Sequence, residues 1–304
     1  MTRTFRSNLA SGLSPRPYIE LMKPRIVILL VFTCVTSMIV AIDSFPPVDI
    51  VLPTILGGVL SVGGASAINQ YLYRELDAKM ARTARRPIPS GRVPAGHAMA
   101  FGMALVLSSV LILGLFVNWL AAALALAGAI YYVVIYTLIL KRNTVVNILI
   151  GGGAGAMPVL VGWAAASGSL EMQAFILFAI VFYWTPPHSW ALAILDNRDY
   201  AAADIPMMPV ARGESLTRFQ ILFYSIQLMI VNLSPAVLLW LPQAPVMLNR
   251  FYLAIATVLG LILVGLAAKL IRRADKATAR VLYKYSSLYL ALLFLAMIFD
   301  RLLL

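Results

Sequence analysis

One cysteine, two histidines and 12 acidic residues in a chain of 304 leave little material for many kinds of chemistry. The single Cys34 excludes an internal disulfide and any multi-cysteine metal site. Charged residues make up only 12% of the chain, about half the share of a soluble protein. That scarcity excludes a large soluble core. No Ser–His–Asp set, Walker loop or glycine-rich nucleotide turn after a strand is present, and the short Gly repeats fall in apolar runs, where they serve packing. Linkers, low-complexity tracts and a separate soluble domain are missing too, so residues 1–304 read as one integral membrane domain.

What is there is apolar: 62% hydrophobic residues and a mean hydropathy of +0.90. A membrane crossing needs about 17–25 such residues. The sequence contains nine such runs, at 26–42, 51–72, 98–117, 119–140, 145–166, 173–195, 219–241, 251–271 and 285–303. The expected fold is all-α, with nine transmembrane helices arranged as two four-helix halves plus one. Only Asn118 and Trp119 mark the turn between the third and fourth runs. Charge placement fixes the orientation. With the N-terminus inside, the segments 1–25, 73–97, 141–144, 196–218 and about 269–284 hold 22 of the 24 Lys and Arg residues, the exceptions being Arg250 and Arg301. Asp43, Asp49, Glu171 and Asp300 fall outside. This is the positive-inside pattern, which puts the C-terminus outside. The net charge of +12 is a topology signal, with no nucleic-acid partner implied. The basic segment 1–25 lacks the apolar core and cleavage site of a secretory signal, although TRTFRSNLASGLSPRP has the Arg- and Ser-rich look of a very short transit peptide.

Two cytoplasmic loops, 73–97 and 196–218, follow the second and sixth spans and would meet over one cavity. The first lies in NQYLYRELDAKMARTARRPIPSGR, residues 69–92, where Asn69, Tyr73 and Asp77 recur every fourth residue and so share a helical face. Lys79, Arg82, Arg85, Arg86 and Arg92 follow. In the second, Asp196 and Asp199 are three apart, Asp196 and Tyr200 four apart, and Asp204 and Glu214 come after. A single such loop would be read as carboxylates pairing with nearby arginines. Two matching loops suit a diphosphate bound through a divalent cation and guanidinium groups. Ionisation of an allylic diphosphate needs that neutralisation, together with a dry pocket whose aromatic faces shelter the carbocation.

Inside the spans, His188 is the clearest ionisable group, either an imidazole hydrogen-bonded between helices or a functional one. The run GGGAGAMP at 151–158 lets helices approach, and Pro158 should break its helix. Pro186 and Pro187 should kink the sixth span. Trp163, Trp184, Trp190, Tyr131, Tyr132 and Tyr136 read as interfacial belt or lipid-facing filler, some available to line a pocket.

Four segments carry a resemblance: YIELMKPRIV at 18–27, NQYLYRELDAKMARTARRPIPSGR at 69–92, YTLILKRNTVVNILIGGGAGAMPVLVGW at 136–163 and WTPPHSWALAILDNRDYAAADIPMMPV at 184–210. In this order they resemble the protohaem IX farnesyltransferases (haem O synthases) of the UbiA-type intramembrane prenyltransferase superfamily. The MxRTxxRP and WxPPHxWALA elements separate this group from quinone prenyltransferases. The resemblance implies nine helices in a ring around a cytoplasmic-side site, in a bacterial plasma (inner) membrane, with Mg²⁺ as cofactor. It implies transfer of farnesyl from farnesyl diphosphate to the 2-vinyl group of haem B, giving haem O for terminal-oxidase haem, with haem A synthase or oxidase assembly as partners. Carried over residue by residue, it implies Asn69, Asp77, Asp196 and Asp199 as catalytic, with Asp77 and Asp196 on the metal. Lys79, Arg82, Arg86 and Lys141 would hold the diphosphate, and His188 would contact haem. Two positions depart from the pattern: Tyr73 stands where an acid is common, with Glu75 a poor substitute on another face, and Ser189 replaces a usual aromatic. The competing readings are prenylation of a quinone or chlorophyll-type acceptor, and a transporter, which would place its polar residues mid-span.

Overall fold

The computed structural model describes residues 15–238 and 248–303. Most of the basic N-terminal segment, and residues 239–241 of the expected seventh span, lie outside the described residues. The described residues are helical, because a backbone in lipid must satisfy its own polar groups. A short helix α1 (Pro15–Leu21) leads to spans α2 (Pro24–Ile42) and α3 (Val48–Leu72). The short α4 (Arg74–Lys79) precedes α5 (Ala95–Phe116), α6 (Trp119–Asn143), α7 (Asn147–Ser167) and α8 (Met172–Leu195). A second short helix, α9 (Asn197–Ala202), precedes α10 (Met208–Leu238), α11 (Arg250–Arg273) and α12 (Lys276–Leu302). Among the described residues, nine helices are long and apolar enough to cross a membrane.

Two starts differ from the sequence reading. The seventh span begins at Met208 rather than 219, and the ninth at Lys276 rather than 285. Both extensions are charged, so hydropathy reads them as loop. Asp275 stabilises the second by accepting the Thr278 amide at 2.6 Å. Gly213, at φ 81 and ψ 157, breaks α10 near its start, a conformation that costs glycine little. The α5–α6 turn is secured by Asn118, which caps α6 through the Ala121 amide (2.8 Å) and donates to the Ala164 carbonyl of α7. Pro158 lies inside an unbroken α7, and Pro186 and Pro187 lie inside a continuous α8. Asp300 is a helix residue rather than a loop acid. Fully buried in α12, it accepts the Asn249 and Tyr252 amides and so caps α11.

Consecutive spans pack as neighbours, and α12 returns to α2, which also packs on α7. Small residues permit the closest approach: a Cβ on Gly162 would clash with the Cys34 carbonyl oxygen. The glycines at 151, 152 and 153 lie against Tyr136, Thr185 and Tyr131, a packing role. Because the spans alternate direction, both loops and the α1–α2 junction sit at one end of the bundle.

Candidate functional site

The two loops share one plan. A span ends at a residue with near-identical backbone, Tyr73 (φ −100, ψ 7) or Asp196 (φ −98, ψ 19), and a six-residue helix comes next. Hydrogen bonds from the Tyr73 amide to the Asn69 carbonyl and from the Asp77 amide to the Tyr73 carbonyl carry the helical register across the break. Asn69, Tyr73 and Asp77 therefore share a face, and all three are buried.

Asp77 is 1% exposed, and its Oδ2 takes a 2.7 Å hydrogen bond from Arg86. Arg82 joins the loops: its Nε lies 3.0 Å from Asp196 Oδ2 and its backbone amide donates to Asp199 Oδ2 at 3.2 Å. The Asp196 contact is an ion pair without hydrogen-bond alignment, so this buried oxygen has no hydrogen-bond partner. Burial raises the Asp196 carboxyl above the usual range, opposed by Arg82 and reinforced by Asp199. Asn69 donates to Thr137 Oγ1 at 3.0 Å. Lys141 places its ammonium 4.1 Å from the Tyr73 ring centre.

Lys79 is not brought into this group. It is exposed and makes no salt bridge among the described residues. Two residues beyond Asp77, it lies on the opposite side of α4. Glu75 does not replace the acid missing at Tyr73, since it is 82% exposed and paired with Arg74. Arg92 pairs with Glu20, away from Asp77.

Sequence reasoning missed Lys23, at the α1–α2 junction. Its backbone is left-handed (φ 54), and the preceding Leu21 carbonyl is held by Ser66 and Gln70 of α3. Its ammonium is pushed down to about 7, first by burial and then by the charges of Arg86, Lys141 and Arg82, with Asp77 opposing. The only signal in the sequence was its place in YIELMKPRIV.

Lys23 also lines the mouth of a mostly apolar cavity of about 570 Å³ between α2, α3, α6, α7, α8 and α12. Tyr132, Tyr136, Trp184, His188 and Tyr283 wall its charged end, and Cys34, Thr54 and Ala125 lie deeper. Ser189 lines it too, with a small side chain. Trp163 and Trp190, by contrast, are core residues. His188 stacks on Trp184 (4.4 Å between ring centres) and tilts on Tyr283 (4.8 Å), while its Nδ1 lies 2.8 Å from Ser286 Oγ. Ser286 Oγ also lies 2.8 Å from the Tyr283 carbonyl; with its one proton directed there it accepts from Nδ1–H, the tautomer that leaves the lone pair on Nε2.

Among the described residues no three acidic, His or Cys side chains gather to hold a metal by themselves. A Mg²⁺ ion commonly takes one or two carboxylates and completes its shell with substrate phosphate and water. Asp196 Oδ2, buried without a hydrogen bond, and the Asp77 oxygen left over by Arg86 fit that mode.

The chain matches the model of the UbiA prenyltransferase family over residues 30–296. It is 51% identical over 286 residues to a protoheme IX farnesyltransferase of Roseiflexus sp. (strain RS-1), covering 94% of this chain and 52% of that protein. With the enzyme of the same name from Symbiobacterium thermophilum it shares 48% identity over 297 residues, 97% of each chain. The chain thus spans about half the length of some curated relatives, 52% for that of Roseiflexus, and nearly all of others. Among solved structures, it resembles one from a study of digeranylgeranylglyceryl phosphate synthase in membranes (TM-score 0.77, 18% identity, 95% of this chain and 99% of that one). It also resembles a UbiA homologue from Archaeoglobus fulgidus bound to DMAPP and Mg²⁺ (TM-score 0.66, 14% identity, 92% and 98% covered). At these identities the structures speak for the fold alone.

Proposed function

The chain belongs to the UbiA prenyltransferase family, and from that premise we propose that it transfers farnesyl from farnesyl diphosphate to the 2-vinyl group of haem B, giving haem O. One observation carries the reading: Lys23, which feels the charges of Arg86, Lys141, Asp77 and Arg82, lines an apolar cavity that His188 lines as well. The names of the curated relatives support the same acceptor.

The diphosphate binds beneath the loops, against Lys23, Arg86 and Lys141. Asp77 and Asp196 would hold Mg²⁺, which would offset the charge of the leaving diphosphate; the UbiA homologue from Archaeoglobus fulgidus with this fold is bound to DMAPP and Mg²⁺. The farnesyl tail lies in the cavity. When its C1–O bond breaks, the electron pair leaves with diphosphate, and Tyr132, Tyr136 and Trp184 offer aromatic faces to the allylic cation. The vinyl π-bond attacks C1, and water captures the resulting cation beside the porphyrin, losing a proton to give the hydroxyethylfarnesyl group. His188 Nε2 holds the haem iron and sets the vinyl edge toward the diphosphate end. Arg82 and Asp199 clasp the loops rather than bind substrate.

Purified protein with haem B, farnesyl diphosphate and Mg²⁺ should yield a product of haem O mass. A prenylated quinone in place of it would sink the haem reading. The protein sits in a bacterial plasma membrane with the loops cytoplasmic, and haem O passes to haem A synthase or oxidase assembly. Cysteines introduced in 80–94 or 203–207 should react with impermeant thiol reagent only from the cytoplasmic face, and labelling from outside would invert the site.

Lys23 makes the diphosphate site pH-sensitive. It is protonated below its value of about 7 and loses charge above it. The apparent KM for farnesyl diphosphate should therefore rise between pH 7 and 9. Lys23→Arg, which stays charged, should lessen that rise; an unchanged profile would remove Lys23 from the site.

A further inference from the structure

Each loop pairs its break residue with a residue four further on, and in the second loop Asp204 follows after four more. Tyr73 precedes Asp77, whereas Asp196 precedes Tyr200. The residue at the break is thus acidic in the second loop and aromatic in the first. Tyr73 is 3% exposed, and its hydroxyl donates to the Thr137 carbonyl at 2.9 Å. That hydroxyl is turned into α6. The carbonyl it reaches lies in a π-helical stretch of α6, Tyr131–Leu140. The wider turn is pinned again at the same residue, because Asn69 donates to Thr137 Oγ1, which donates to the Tyr132 carbonyl. Lys141 comes directly after the stretch. Its ammonium lies over the Tyr73 ring at 4.1 Å and near the Tyr136 ring at 5.9 Å, with no salt bridge among the described residues.

We propose that Tyr73 is a positioning residue whose ring face holds the Lys141 ammonium over the diphosphate site. A carboxylate at position 73 would hold Lys141 by neutralising it. An aromatic ring attracts the ammonium through its quadrupole and carries no net charge, so it adds no anion to compete with an incoming one. The π-helical stretch brings Lys141 into register with the ring, because each i→i+5 turn takes one residue more than an α-turn and rotates the residues beyond it. Asn69, expected from the sequence to be catalytic, shares this fastening role by holding Thr137.

The inference rests on the prenyl-diphosphate reading for what Lys141 binds, and binding of inorganic diphosphate tests it apart from haem and turnover. Position 73 is replaced by phenylalanine and then by phenylalanines of increasing ring fluorination, which nearly keep the shape while weakening the quadrupole. The Kd of inorganic diphosphate, measured with Mg²⁺ on the full chain in detergent, should rise with each step to about 3- to 30-fold over the phenylalanine form. Lys141→Gln should weaken binding by itself and abolish the dependence on fluorine. A Kd indifferent to fluorination while Lys141→Gln still weakens binding would overturn the role of Tyr73 and leave the diphosphate site standing. The same fluorine dependence in a protein that makes no haem O would overturn the acceptor reading and leave Tyr73 in its role. Absence of diphosphate binding by the unaltered protein would overturn both.

Discussion

Asp77→Asn is expected to lower single-turnover farnesyl transfer by about 10³-fold, equivalent to about 4 kcal/mol in the barrier. The side chain is 1% exposed and its Oδ2 is bound by Arg86 at 2.7 Å. Asparagine keeps the shape and one acceptor for that hydrogen bond, so the loop should survive. What would be lost is the charge proposed to hold a cation against the leaving diphosphate. The thermal midpoint should move by a few degrees at most, and raising Mg²⁺ should not restore the rate. Asp196→Asn should also depress the rate, in proportion to its share of the cation. Asp199→Asn should instead loosen the clasp to the Arg82 amide and leave the Mg²⁺ response unchanged. A rate within tenfold of the parent for Asp77→Asn at saturating Mg²⁺ would remove Asp77 from the metal. Arg86→Ala is a harsher change, because an unpaired buried carboxylate costs about 3–5 kcal/mol.

His188→Ala is expected to abolish haem binding as seen by the Soret band, while the affinity for farnesyl diphosphate stays within twofold. The loss should exceed the about 10- to 100-fold that removing a supporting hydrogen bond from a metal ligand costs. Ser286→Ala should fall within that smaller range, because Ser286 fixes which nitrogen of His188 bears the proton. Free imidazole should restore the spectrum of the His188→Ala protein. If haem affinity and spectrum are unchanged in His188→Ala, the residue is a packing element between Trp184 and Tyr283.

Much of this architecture is visible in the chain itself. The spans were legible because bilayer crossing depends on composition over a window. Where the sequence misled, the cause was local. Residues 208–218 and 276–284 are charged enough to resemble loops, yet both are helical, the first with a break at Gly213. The shared face of Asn69, Tyr73 and Asp77 could be read from spacing alone, since it needs only helical register. Lys79 could not, for its role came from resemblance while its place two residues after Asp77 turns it outward. The contacts of Arg82 to Asp196 and Asp199 could not be read from spacing, since they arise only where the two loops meet. Lys23 and the Tyr73–Lys141 pair depend on a left-handed residue and a π-helical turn, neither of which hydropathy or spacing encodes. The tautomer of His188 depends on a serine 98 residues away.

The central claim is that one cavity holds two substrates, with diphosphate under the loops and haem on His188. A cryo-electron microscopy structure with haem B, Mg²⁺ and a non-ionising thiodiphosphate analogue of farnesyl diphosphate tests it most directly. Diphosphate density is expected against Asp77, Lys23 and Lys141, and haem iron within bonding distance of His188 Nε2 with a vinyl edge facing farnesyl C1. Haem bound outside the cavity, or diphosphate density away from both loops, would contradict it.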